Sequence, residues 1–88
     1  MASFDVVLKP AVEKDLRSLS KSSLVRVMAA LDSLANEPFS RQTVKLEGSE
    51  DLYRLRVGDY RIIYEVDRRA KHLIVHYVRH RREVYRKL

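Results

Sequence analysis

Apolar positions recur along this chain first with the period of a strand, then of helices, then of strands again. Phe4, Val6 and Leu8 alternate with Asp5, Val7 and Lys9, which predicts a first strand with one strongly apolar face. Pro10 follows where a helix can begin, because its fixed φ and missing N–H cost nothing in a first turn. Val12, Leu16 and Leu19 continue at helical spacing. Ser20-Lys21-Ser22-Ser23 interrupts the pattern and offers N-caps for a second helix. In that helix Leu24, Val27, Met28, Leu31, Leu34 and Ala35 form one core-facing stripe, with Met28 read as a gap-filler, and the helix ends near Asn36 before Pro38. Residues 39–42 read as a loop, and Lys45-Leu46-Glu47-Gly48 leads into a turn at Ser49-Glu50-Asp51.

The next segment, Tyr53-Arg54-Leu55-Arg56-Val57-Gly58-Asp59-Tyr60-Arg61-Ile62-Ile63-Tyr64, alternates with a strand period on both sides of Gly58-Asp59. A two-residue loop there pairs Val57 with Tyr60 and Arg56 with Arg61. Arg54, Arg56 and Arg61 then share one face, and Tyr53, Leu55, Val57, Tyr60, Ile62 and Tyr64 share the other, where the tyrosines serve as core or core-edge aromatics. Like charges set opposite each other destabilise a sheet, so the arrangement predicts an anionic ligand. After a polar turn at Asp67-Arg68-Arg69-Ala70-Lys71, residues 72–79 predict a further strand, apolar enough to be buried on both faces, whose register the long turn leaves open. Residues 81–88 have room for one or two helical turns. The reading is a single α+β domain over residues 1–88.

Charge sharpens this picture. Residues 1–52 carry seven Lys and Arg against eight Asp and Glu, whereas residues 53–88 carry eleven against four, so the net +6 belongs to the second half. Nine of those eleven cations are Arg, whose planar fork matches phosphate oxygens, and tyrosines that can stack on bases interleave with them. Nucleic acid is therefore the expected ligand class. The 88 residues contain no Cys, which excludes disulfides and thiolate metal sites, and the three His show no ligand spacing with Glu65 or Asp67, so no metal or cofactor is expected. No apolar run is long enough for a membrane span and the first residues lack a signal peptide's pattern, which leads us to expect a cytoplasmic protein with no membrane contact.

Three stretches together resemble the RelE branch of the RelE/ParE toxin superfamily: Lys45-Leu46-x-Gly48, then Leu52 through Tyr64, then Val78-x-His80-Arg81-x-Glu83-Val84-Tyr85. The resemblance runs over essentially the whole chain. It implies a small antiparallel sheet packed on an N-terminal helical hairpin, with a short C-terminal helix. It also implies the toxin of a type II toxin–antitoxin pair, a metal-independent endoribonuclease that enters the ribosomal A site and cuts the mRNA there, held in check by a cognate antitoxin protein. On the matching positions, Arg61 would bind the scissile phosphate, Arg81 would contact it and assist leaving-group protonation, and Tyr85 would stack on or position a base. Arg56 joins them as a catalytic candidate, and Lys45, Arg54 and Arg82 are the expected RNA contacts.

One departure from the family's pattern matters for the chemistry. Arg54 and Arg56 stand where some relatives have lysines, and a guanidinium cannot serve as a base. His80, then His76, Tyr85 and Lys45 are the candidate bases, with positioning alone as the remaining alternative. The competing expectation is a non-enzymatic inhibitor like the ParE branch, which acts on DNA gyrase; a plain RNA-binding module is a third.

Overall fold

A computed structural model describes residues 3–80. The chain runs β1 (Asp5–Leu8), α1 (Pro10–Arg17), α2 (Lys21–Asn36), β2 (Thr43–Lys45), β3 (Leu52–Val57), β4 (Tyr60–Asp67) and β5 (His72–His80). The five strands form one open sheet in the order β1-β5-β4-β3-β2. Strands β2 to β5 pair antiparallel, whereas β1 lies parallel to β5, with Val6 opposite Leu73. That parallel pair adds to the antiparallel expectation. Between β1 and β5 the chain passes through both helices and the other three strands, and a long connection of this kind is what parallel neighbours require.

Local chemistry sets the element boundaries. Pro10 occupies the first turn of α1, and the Ser20 hydroxyl caps α2 by accepting from the Ser23 N–H at 3.2 Å. Both helices lie on one side of the sheet. Val12 from α1 and Val27, Leu31 and Leu34 from α2 join Leu55, Ile62, Tyr64, Val66, Leu73, Val75 and Val78 in one buried cluster. Removing a side chain such as Leu31, which is 2% exposed, costs about 2–5 kcal/mol because the surrounding residues close the cavity only in part.

Met28 is not part of that cluster. It is 41% exposed, because the buried side of α2 is centred on Val27, Leu31 and Leu34, and Met28 lies about 100° around the helix from Val27. The strand β2 is also new relative to the sequence pattern, since three residues are too few to display a period. It pairs Thr43 with Leu55 and Lys45 with Tyr53. Strand β5 buries Leu73, Val75 and Val78 under the helices but leaves Ile74, Tyr77 and Arg79 half-buried on the other side, so only one of its faces is fully covered. The C-terminal helix expected for residues 81–88 lies outside the described residues.

Candidate nucleic-acid interface

The hairpin between β3 and β4 has the register that the sequence predicts, with Arg56 opposite Arg61 and Val57 opposite Tyr60. Gly58 makes it possible by adopting φ 59°, a left-handed value that two-residue hairpin loops require at their first position. Arg61 is in turn opposite Arg79 on β5. Residues directly opposite one another point to the same face, so Arg56, Arg61 and Arg79 form a row across three adjacent strands, each about 4.8 Å from the next. Arg54, two residues from Arg56, lies on the same face beside Ile63 and Tyr77.

Simple alternation does not place Arg79 in this row. Simple alternation from the buried Val75 would send Val78 outward and Arg79 toward the helices. A bulge intervenes: Ile63 is opposite Tyr77 but Tyr64 is opposite Val75, which leaves His76 as the extra residue. The bulge turns Val78 into the core and Arg79 onto the arginine face. The sequence signal that could have found it is the run Tyr77-Val78-Arg79 itself, in which Val78 completes the core only if alternation is broken once.

The four guanidiniums are held in different ways. Arg61 is 5% exposed and engaged in contacts of its own, so its position is fixed. Arg56 is exposed, and its Nε donates to the Gly58 carbonyl at 3.3 Å, which ties it to the turn. Arg79 lies over the Tyr77 ring at 4.9 Å and approaches Asp15 of α1, Nε to Oδ2, at 3.9 Å. Asp15 also accepts the Val78 N–H at 3.2 Å, satisfying the edge of β5 beyond the point where β1 ends. Arg54 is half-buried.

The register separates other expected site residues from this cluster. Lys45 pairs with Tyr53 and so falls on the helix side of the sheet, opposite to Arg54. His80 pairs with Tyr60, also on the helix side, where the two rings meet edge to face at 5.5 Å. Neither residue joins the arginine row, which follows from strict alternation along β2 and along β5 past its bulge. His76 differs. Its Nε2 lies 2.9 Å from Oε1 of Glu65, a residue that alternates onto the arginine face with Arg61 and Ile63. Arg81, Arg82 and Tyr85 lie outside the described residues.

On the helix side, the Tyr64 hydroxyl donates to the Pro38 carbonyl at 2.6 Å, and Phe39, Tyr53 and Tyr64 form a ladder of ring contacts at 5.2 and 5.8 Å. Burial pushes the Tyr64 phenol up to about 12, with a bond to Thr43 opposing that shift and Tyr53 adding to it. These tyrosines belong to the core rather than to the arginine face. Among the described residues no cluster of His, Asp and Glu is arranged to hold a metal ion.

Fold and face together define a class: a small open sheet, covered by helices on one side and bearing a preformed row of arginines on the other, suited to a multiply charged anion. Comparison with known proteins gives the family. Residues 6–85 match the family described as ParE toxin of type II toxin-antitoxin system, parDE. A Methanocaldococcus jannaschii chain with the provisional name toxin RelE1 is 32% identical over 66 residues, covering 72% of this chain and 73% of that one. The fold is similar to that in the archaeal RelE-RelB complex from Pyrococcus horikoshii, with a TM-score of 0.81, 37% identity, and coverage of 90% of this chain and 96% of that one. It is also similar to that in the RelB-RelE antitoxin-toxin complex from Methanococcus jannaschii, with a TM-score of 0.78, 25% identity, and coverage of 93% and 98%. The chain belongs to the RelE family of the RelE/ParE superfamily, the toxins of type II toxin–antitoxin systems.

Proposed function

We propose that this toxin is a metal-independent endoribonuclease that cuts mRNA in the ribosomal A site, and that a cognate antitoxin protein covers its arginine face. The observation that carries this reading is the row Arg56, Arg61 and Arg79 with Arg54 beside it, three like charges in register across neighbouring strands. Asp15 offsets part of this charge at the Arg79 end, and the exposed Arg56 directly opposite Arg61 is the position that an anionic ligand would favour most. The antitoxin partner is inferred from the similar structures, which are toxin–antitoxin complexes.

In the proposed reaction the ribose 2′-oxygen attacks the adjacent phosphorus, forming a P–O bond as the bond to the 5′-oxygen breaks, and the products are a 2′,3′-cyclic phosphate and a 5′-hydroxyl. The 2′-hydroxyl proton must leave and the 5′-oxygen must gain one. Between these events the phosphorus centre carries an extra negative charge, and arginines already oriented by the sheet stabilise it without reorganising. Arg61, buried and fixed, is the proposed phosphate anchor, and Arg56 and Arg79 flank it. Arg81 and Tyr85 keep the roles that the family resemblance assigns them, phosphate contact with leaving-group protonation and base positioning, and Arg82 remains a proposed RNA contact. Of the two histidine candidates for the base, His76 shares the arginine face through Glu65, whereas His80 is on the other face against Tyr60. We therefore place the rate mainly in positioning and charge stabilisation, with no strong base assigned among the described residues.

The match to a family described by its ParE toxins favours one alternative, a gyrase-directed inhibitor without enzymatic activity. Incubating the purified protein with programmed ribosomes and mapping transcript ends separates the two. Discrete new 5′ ends within the A-site codon support the ribonuclease. Intact transcripts, together with gyrase-linked DNA breaks in expressing cells, support the alternative.

A further inference from the structure

A second cationic feature lies around the edge of the sheet from the arginine face. Strand β2 pairs with β3 only as far as Leu55, so Arg56 and Val57 stand at an open edge. Between that edge and α2 runs an open groove of about 930 Å³. Three arginines from three separate elements line it: Arg26 on α2, Arg41 in the loop before β2, and Arg56 on β3, with Glu37 as the one acid. From Arg26 to Asn36 the groove follows α2 over about 15 Å of helix axis, which is room for more than one phosphate. Its walls between the arginines are small or uncharged, including Ala29, Ala30, Ser33 and Gln42.

The cations are placed rather than loose. A Cβ on Gly58 would come within 3.1 Å of Arg26 Nη1, so the guanidinium is seated against the bare glycine. Arg56 donates to the carbonyl of the same residue. The hairpin tip therefore gathers one arginine from each side of the sheet. The salt bridges among the described residues join His76 to Glu65 and Arg79 to Asp15, and neither Arg26 nor Arg41 takes part in one. Their charges are therefore not taken up by ion pairs within the described residues.

We propose that this groove is a second RNA-backbone site, in which Arg26 and Arg41 bind phosphates of the same strand whose scissile phosphate lies on the arginine face, with Arg56 shared at the hairpin tip. The inference rests on the ribonuclease reading above. It assigns the groove to sugar–phosphate rather than to bases, so its contribution is to affinity and strand path and not to sequence choice.

The test measures binding of a short, fluorescently labelled, 2′-O-methylated single-stranded RNA over a series of salt concentrations, for wild type, R26Q, R41Q and the double variant. Each lost phosphate contact should lower the slope of log affinity against log salt by about 0.7, and the double variant should lose about twice that. R41Q changes an exposed loop residue, so it keeps the test decisive if R26Q disturbs the turn at Gly58. Wild-type slopes in both variants overturn the proposal, as does a wild type whose binding ignores salt. Unchanged RNA slopes with lost affinity for an acidic peptide would give the groove to a protein partner instead, also against the proposal. Transcript cleavage on programmed ribosomes, measured on the same preparations, keeps the two questions apart: a wild type that cuts while the variants retain their slope removes the groove assignment alone, and a wild type that does not cut removes the ribonuclease reading.

Discussion

Arg56 and Arg61 illustrate how two residues of one type, set opposite each other, call for different experiments. Arg56 is exposed and faces another cation, so Arg56→Ala relieves a repulsion, and thermal unfolding should show stability unchanged or raised by up to about 1 kcal/mol. Arg61 is 5% exposed, so Arg61→Ala leaves a void and loses stability together with any activity. Arg61→Lys is the cleaner probe, because it keeps the charge while removing the fork that matches two phosphate oxygens. Tyr64 gives a prediction of another kind. Its folded-state pKa, about 12, lies above the ordinary phenol value of 10.0, so its contribution is complete below pH 10 and declines as pH rises from there through about 12. In alkaline unfolding Tyr64→Phe should flatten the stability loss in that window, at the cost of stranding the buried Pro38 carbonyl, about 1–3 kcal/mol at neutral pH. At this scale the arginines of the hairpin were legible in the sequence because alternation needs only nearest neighbours. The burial of Arg61 was not, since it depends on what covers the face.

Among the elements, the β3–β4 hairpin was the most legible, and Gly58 is the reason. With φ 59° and a missing Cβ that leaves room for Arg26, it fixes the loop at two residues and therefore the register on both sides. Gly58→Ala should cost about 1–2 kcal/mol in chemical denaturation from the left-handed backbone alone, with Arg26 free to shift by a few tenths of an ångström. Strand β5 was legible as a strand but not in register. Its turn carries Lys71 at φ 57° and an Asp67 carboxylate that accepts from the N–H groups of Arg69 and Ala70, features that composition alone does not order. The His76 bulge then breaks alternation once more. Those two irregularities hid from the sequence reading that Arg79 joins the arginine face and that His80 lies on the helix side. Strand β2 escaped notice for a simpler reason, being too short for a period and defined only by its partner β3.

For the whole molecule, the two halves of the chain divide the labour. The near-neutral first half supplies β1, the two helices that cover the core, and β2, and the second half, with its excess of arginines, supplies the other three strands and the arginine face. The division was visible in the charge count, but the parallel seating of β1 against β5 was not, because pairing between distant segments leaves no local pattern. The central claim is that Arg56 stands opposite Arg61 for a charged phosphorus centre and not for the fold. Arg56→Gln tests it most directly, through single-turnover cleavage of ribosome-bound transcript measured beside the melting temperature of the same protein. The account predicts a rate lower on the order of 100-fold with a melting temperature unchanged or higher. A variant that cuts at the wild-type rate, or one whose loss of activity is matched by a loss of stability, would contradict it.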